Sequence, residues 1–287
     1  MKRQIREAII EKGLFLAASA SIIIVMLIII FMFAEGIRAL NFDFLFGMEW
    51  WPSGEKFGII PTVVSTFIIG LGALGIAIII GIPCAIFLSE YSRDPIRSII
   101  KSSVEMLVGI PSIVLGFFGL VVLVPLIRYN IGGLGESILA GWIILSIMTL
   151  PHIISISEDA MRAVPNSFRE GSIALGSTTW QTTKALIIPN AKSGIFASIV
   201  LGMGNAIGET MAVLMVIGNP NIPWIPQSIL DQVRVLTSTI VIEISYAIWG
   251  SMHQYSLFAL GIVLFAVVSV LNLISRLIIK EEIRKRW

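Results

Sequence analysis

A carboxylate stands inside an apolar stretch at Glu209, in the segment Gly204-Asn205-Ala206-Ile207-Gly208-Glu209-Thr210-Met211-Ala212-Val213. A carboxylate in lipid is unfavourable by several kcal/mol unless it is paired or wetted, so by default it marks a polar pathway. At helical spacing Asn205 and Glu209 share one face, and Asn205 and Thr210 add neutral donors. Such a set suits an oxyanion that keeps a proton and can donate it to Glu209, rather than a fully ionised one such as sulfate. The plainer reading is a protonated Glu209 satisfied by a neighbouring helix. Glu105 has two readings as well: it lines the same path, or it is an interfacial carboxylate reaching water along its stem.

A second polar element is longer. Residues 158–192 read EDAMRAVPNSFREGSIALGSTTWQTTKALIIPNAK, too charged for lipid yet with helix-type apolar spacing at Ile173, Ala174, Trp180, Leu186 and Ile187. This pattern fits a surface that docks on something soluble. Asn166 or Ser167 can cap a short helix, with Glu170 at its third or fourth position, where the dipole favours negative charge. Gly171, Ser172 and Gly176 give that helix a flat side, and Pro189 is expected to break the chain before the next apolar run.

The elements that must hold these residues follow from composition. The chain is 56% hydrophobic and 13% charged, against roughly 25% charge in a soluble domain, and its mean hydropathy is +0.93. Six apolar runs are long enough to cross a bilayer. They cover about 14–33, 61–88, 104–127, 137–157, 194–217 and 256–279, the third broken at Gly109-Ile110-Pro111-Ser112. The expected fold is therefore all-α and polytopic, with six transmembrane helices. Residues 1–60 form a basic leader, first span and outer loop; 61–280 form the core, with the polar loop 158–192; 281–287 form a tail. The run at 14–33 lacks a small-residue cleavage pattern and reads as a retained anchor. The glycines of the second span, such as Gly72, let helices approach closely. Paired Trp50 and Trp51 suit the headgroup zone. Residues 233–249 are too polar to cross lipid but apolar enough to dip into protein.

Charge fixes orientation. Sixteen of the 20 Lys/Arg fall on the leader, the loop after the second span, the long loop and the C-terminal end; only Arg38, Lys56, Arg128 and Arg234 fall on the other side. The positive-inside rule places both termini and the long loop in the cytoplasm of a cell (inner or plasma) membrane.

The spacing Glu170-Gly171-Ser172, three residues, Gly176, nine residues, Leu186-Ile187-Ile188-Pro189 resembles the E-A-A-x-x-x-G-x9-I-x-L-P signature of permease subunits of binding-protein-dependent ABC importers. Gly171 and Ser172 replace two alanines and Leu186 an isoleucine, with size or hydrophobicity kept. The resemblance implies a MetI-like permease fold. It also implies that Glu170, Gly171, Ser172, Gly176 and Pro189 belong to a helix-turn-helix that docks in a cleft of a cytoplasmic ATPase and passes its movement to the membrane helices. Gly208-Glu209-Thr210-Met211-Ala212-Val213 followed by Gly218-Asn219, together with Phe87-Leu88-Ser89-Glu90-Tyr91, residues 99–112 and residues 236–265, is similar to the PstC-type permeases of phosphate importers. That likeness, over about 61–279, implies inorganic phosphate as substrate and Glu209, Asn205, Thr210 and Glu105 on the translocation path. The implied partners are a second, PstA-type permease, a PstB-type ATPase dimer and an extracytoplasmic PstS-type binding protein. Asn205 stands where an arginine is common in that family, so the resemblance leaves the missing charge to the partner permease.

Other chemistries find little material. The chain has no Gly-Lys dipeptide and so no phosphate-binding loop of the G-x4-G-K-[ST] type; ATP is expected to be used by a separate ATPase subunit, with no cofactor bound by this chain and no enzyme activity of its own. One cysteine and two histidines make a poor metal set. His152 and His253 have no partner at useful spacing and are assigned no chemistry. Thr237, Ser238, Thr239 and Glu243 are candidates for an outer vestibule. A net charge of +2 gives no reason to expect nucleic acid. The competing readings are an importer of the same class for sulfate, molybdate or tungstate, a self-contained secondary transporter, and an intramembrane enzyme. The second wants inverted repeats and the third a nucleophile with a base; neither is visible.

Overall fold

The computed structural model describes the backbone of residues 2–284 and the side chains of residues 10–274 and Leu277. The basic residues Lys2, Arg3, Arg6, Arg276, Lys280, Arg284, Lys285 and Arg286, which weigh in the orientation argument, have side chains outside that set. The chain opens with α1 (Lys2–Gly36), then a short α2 (Phe42–Phe46) and a two-stranded hairpin, β1 (Trp50–Trp51) against β2 (Lys56–Phe57). Next come α3 (Ile60–Ile86), α4 (Asp94–Val108), α5 (Ser112–Phe118), α6 (Val124–Asn130) and α7 (Ile138–Arg162). The polar loop holds α8 (Asn166–Ala174) and α9 (Thr179–Thr182), after which follow α10 (Ile188–Gly208), α11 (Met211–Val216), α12 (Leu236–Glu243) and α13 (Met252–Arg284).

Six helical stretches are long and apolar enough to span a membrane: Ile10–Gly36, Ile60–Tyr91, Ser112–Asn130, Ile138–Arg162, Thr179–Gly208 and Met252–Ile274. Their number is as expected, but two boundaries differ from the sequence reading. The third span starts at Ser112, because the chain turns at Gly109-Ile110-Pro111; residues 94–108 form the separate amphipathic α4. The fifth span begins at Thr179, inside the polar loop, and ends at Gly208. Pro189 does not break it. A turn of π-helix at Thr183–Ile187 precedes it, with the Ile188 amide bonded to the Thr183 carbonyl; proline has no N–H to lose at such a change of register. The same device precedes Pro125, where Gly119–Leu123 is a π turn.

The inner core is α3, α7 and α10, closed by α11. Glycine makes this closeness possible. A Cβ on Gly72 would lie 2.1 Å from the Trp142 indole, and one on Gly116 would lie 2.7 Å from Ala212 Cα. Trp142 uses the approach to donate from Nε1 to the Ile68 carbonyl at 2.8 Å. Between α7 and α10 the Ser157 and Ser198 hydroxyls meet at 2.8 Å. α1 lies outside this core on α13, with Phe31 edge-on to Phe258 and Gly36 against residues 258–259.

The two ends of the bundle are each tied by polar contacts. At the basic end, Glu158 of α7 is fully buried and paired with Arg97 and Lys101 of α4, both at 2.7 Å. Burial opposes the charge on Lys101, but Asp159 and Glu158 raise its pKa above the usual lysine value. At the opposite end, Ser137, Ile138 and Leu139 donate their amides to carbonyls of Val216, Asp231 and Ile229, and Gln232 reaches Glu136.

Candidate functional site

Three neighbourhoods hold the residues singled out above. The first is the end of the fifth span. α10 stops at Gly208, and Glu209 takes an extended conformation, φ −66° and ψ 131°, with its amide on the Asn205 carbonyl. α11 restarts two residues later. The unbroken fifth span expected over 194–217 is therefore corrected: Glu209 sits in a break between two helices. Its carboxylate accepts from the Ala212 amide at 3.2 Å, covering one free N–H of the new helix as anions at helix starts do. That is its one hydrogen bond among the described residues. Glu209 and Asn205 line a cavity of about 430 Å³ with Ser112, Met148, His152, Leu115 and the turn 107–111. The shared face of Asn205 and Glu209 thus survives the break. Thr210 lies beside it but bonds the Gly208 carbonyl at 3.2 Å and is not in the cavity lining. Glu105 is exposed on α4, and the lining skips it although it includes Leu107 and Val108. His152, assigned no chemistry from sequence, is in the lining; only the packing of α7 on α10 brings it there.

The second neighbourhood is the polar loop. α8 runs Asn166–Ala174 with Pro165 before it and no side-chain cap, so neither Asn166 nor Ser167 caps it and Glu170 is its fifth residue, exposed. Gly176 turns the chain at φ +88°, a conformation a side chain would strain. Thr178 and Gln181 then form a reciprocal capping box that starts α9. Ser172 is buried and accepts from the Thr182 hydroxyl at 2.9 Å, holding α8 against α9. Gly171 faces open space. Arg169 fixes the pair to the bundle: it binds both Glu90 oxygens, at 2.8 and 3.0 Å, and the Val164 and Met161 carbonyls. Sequence missed this clamp, since Glu90 and Arg169 lie 79 positions apart. Exposed on this pair are Phe168, Ile173, Leu175 and Trp180, Leu175 being 89% exposed. An apolar patch rimmed by polar groups at a loop tip marks an interaction surface. From α9 through the π turn to Gly208 the helix is continuous, 30 residues or about 45 Å at the α-helical rise.

The third neighbourhood is the opposite end. Thr237, Ser238 and Thr239 are buried, each 5% exposed or less, so they do not face a vestibule. Their hydroxyls bond backbone instead, Thr237 to the Glu209 carbonyl at 3.3 Å, because α12 dips into the bundle as its semi-apolar sequence requires. Glu243, 7% exposed, is bound by Arg234 at 2.6 Å, His253 at 2.7 Å and the Trp50 indole at 3.0 Å. Trp50 is fully buried against Glu243, while Trp51 stays exposed. His253 gains a partner ten positions away that no helical spacing would have paired.

These features match known proteins. Residues 77–283 match the model of the family described as binding-protein-dependent transport system inner membrane component. The chain is 40% identical over 237 residues to the probable ABC transporter permease protein YqgH of Bacillus subtilis, covering 82% of this chain and 76% of that one. It is 36% identical over 284 residues to the phosphate transport system permease protein PstC of Mesorhizobium japonicum, covering 90% and 86%. Among solved structures it resembles a chain of the MetNI methionine ABC transporter in an inward-facing conformation, with a TM-score of 0.61 at 17% identity over 78% of this chain and 95% of that one. A chain of a bacterial alginate ABC transporter gives 0.60 at 17% identity over 94% of each. At that identity the structures speak for the fold, and the sequence matches for the family. With six spans, an exposed apolar patch on α8 and α9 and a helix that runs unbroken from that patch to the cavity, the chain is a multi-pass membrane protein that belongs to the binding-protein-dependent transport system inner membrane component family.

Proposed function

We propose that this chain is one of two related membrane subunits of an ATP-driven importer for inorganic phosphate, lodged in the cell (inner or plasma) membrane with its basic end in the cytoplasm. The observation that carries the substrate is the likeness to a phosphate transport permease over 90% of the chain. The chemistry around Glu209 agrees with it. Two unit charges about 5 Å apart at an effective dielectric near 20 repel by about 3 kcal/mol, and a dianion doubles that. Sulfate has no proton with which to offset the repulsion. Phosphate near neutral pH keeps a P–OH that donates to the carboxylate, and Asn205 supplies neutral donors to its other oxygens.

The work comes from a partner. The patch of Phe168, Ile173, Leu175 and Trp180 on α8 and α9 is the seat of a PstB-type ATPase dimer, which binds and hydrolyses the ATP. Glu170, Gly171, Ser172, Gly176 and Pro189 shape that seat and its link to the fifth span. A PstS-type binding protein delivers phosphate to the opposite end, and a PstA-type permease completes the path. Movement of α9 reaches the Glu209 break because the helix between them is stiff, and access alternates between the two ends.

Uptake of labelled phosphate and labelled sulfate by the reconstituted complex, with and without ATP, tests the reading. ATP-dependent uptake of phosphate over sulfate is expected. Preference for sulfate, molybdate or tungstate overturns the substrate and leaves the family in place.

A further inference from the structure

We infer that His152 is a third anion-contacting group of the translocation path, acting with Asn205 and Glu209; this rests on the phosphate reading above and extends it. Four helices meet at the 430 Å³ cavity, α4 and α5 reaching it on either side of the turn 109–111. α7 contributes Met148 and His152, one helical turn apart, α10 contributes Asn205 and the break contributes Glu209; the turn 109–112 closes the wall. The packing that sets this up is tight. A Cβ on Gly202 would stand 2.9 Å from Thr149 and 3.4 Å from Ile153, so α7 at residues 149–153 runs directly along α10 one turn before Asn205. His152 is half-buried, and neither its ring nor the Asn205 amide has a hydrogen-bond partner among the described residues. Both are polar groups that border the cavity and are not bonded to another side chain there.

The charge in the cavity gives the imidazole its role. The lining contains Glu209 and neither lysine nor arginine, so an anion entering it meets one negative charge and no permanent positive one. Histidine is the side chain that gains a positive charge near neutral pH and donates from both ring nitrogens when it does. Of the elements packed around α7, α10 carries Lys192 thirteen positions before Asn205, and the turn 87–91 carries Glu90, which Arg169 holds. α3 and α11 carry no Asp, Glu, Lys, Arg or His, and Arg128 lies at the far end of α6. On α4, Arg97 and Lys101 are bound to Glu158, and Glu105 and Asp94 are exposed and outside the lining. His152 and Glu209 therefore face each other's ligand as a donor–acceptor pair. A protonated oxyanion satisfies both, offering its O–H to Glu209 and its unprotonated oxygens to His152 and Asn205. Sulfate satisfies only the second.

The test uses the whole importer with its partner subunits. Histidines are modified with diethyl pyrocarbonate and the occupancy of each is read by peptide mass spectrometry, with and without inorganic phosphate or sulfate. Saturating phosphate is expected to slow modification of His152 by about fivefold or more through occupancy of the site, with His253, held by Glu243, unaffected as an internal reference. In proteoliposomes, His152→Gln is expected to lower phosphate uptake about tenfold and to flatten its dependence on pH, while His152→Arg retains uptake with an equally flat profile. If the wild-type complex transports phosphate but phosphate leaves His152 unprotected, or sulfate protects it equally, the inference is overturned and the phosphate reading stands. If the wild-type complex does not transport phosphate, the reading beneath it fails. Should His152→Gln fail to assemble, the protection measured in the wild type decides the question alone.

Discussion

Glu209, half-buried, and Glu243, buried, are set in the same bundle and bound in opposite ways. Glu243 is held by a guanidinium, an imidazole and an indole N–H. Glu209 has a single amide at 3.2 Å and a cavity in front of it. A buried carboxylate with its acceptor sites filled by fixed donors is a structural tie, because no solute can bind it without displacing a good partner. A carboxylate with acceptor sites open onto a cavity is where a ligand's donor goes. The ties of Glu243 join α12, the hairpin and α13 at one end of the bundle, and α12 in turn touches the Glu209 backbone through Thr237. Glu243 thus braces the frame around Glu209.

The comparison is broken most directly at its structural half. Glu243→Ala leaves the buried Arg234 guanidinium without its counter-charge, which is expected to destabilise the chain by about 3–5 kcal/mol. The thermal midpoint of the purified complex should fall by about 10 °C; a fall no larger than that of an exposed-site control would show that the Glu243 cluster is not a brace. Arg169→Ala comes next. It strands Glu90, whose side chain is 4% exposed, and a loss of about 2–3 kcal/mol is expected. ATP hydrolysis by the assembled complex should then run with little uptake, since α8 is no longer clamped to the bundle. Equal loss of hydrolysis and uptake would argue against a coupling role for the clamp.

At the functional half the signs reverse. Glu209→Gln should leave the thermal midpoint within the range of ordinary surface changes, about 0.5 kcal/mol. It should slow phosphate uptake by about thirtyfold, equivalent to about 2 kcal/mol in the barrier. Normal uptake by this variant would remove Glu209 from the path. The smallest effect on stability is expected for Leu175→Ser, at the most exposed position of the docking face. The chain should fold as before, within about 0.5 kcal/mol, yet retain less ATPase on purification; full retention would move the seat of the ATPase elsewhere.

What the sequence determined by itself are the features that depend on local composition and spacing. Apolar length gave six spans, and the placement of lysine and arginine gave their proposed direction. The Glu170-to-Pro189 spacing gave the proposed docking element, and the isolation of Glu209 among apolar residues the proposed path, since each of these is a property of neighbours in the chain. Helix ends were harder to read. Pro189 passes through a helix because a π turn precedes it, and Glu209 sits in a break because its carboxylate serves the next helix; both depend on hydrogen-bond register, which hydropathy does not record. The partners of charged groups were decided only by the tertiary structure. Glu90 meets Arg169 across 79 positions and Trp50 meets Glu243 across 193. His152 joins the cavity solely because Gly202 lets α10 lie against α7. Periodicity tells which face of a helix is polar, and only packing tells what that face meets.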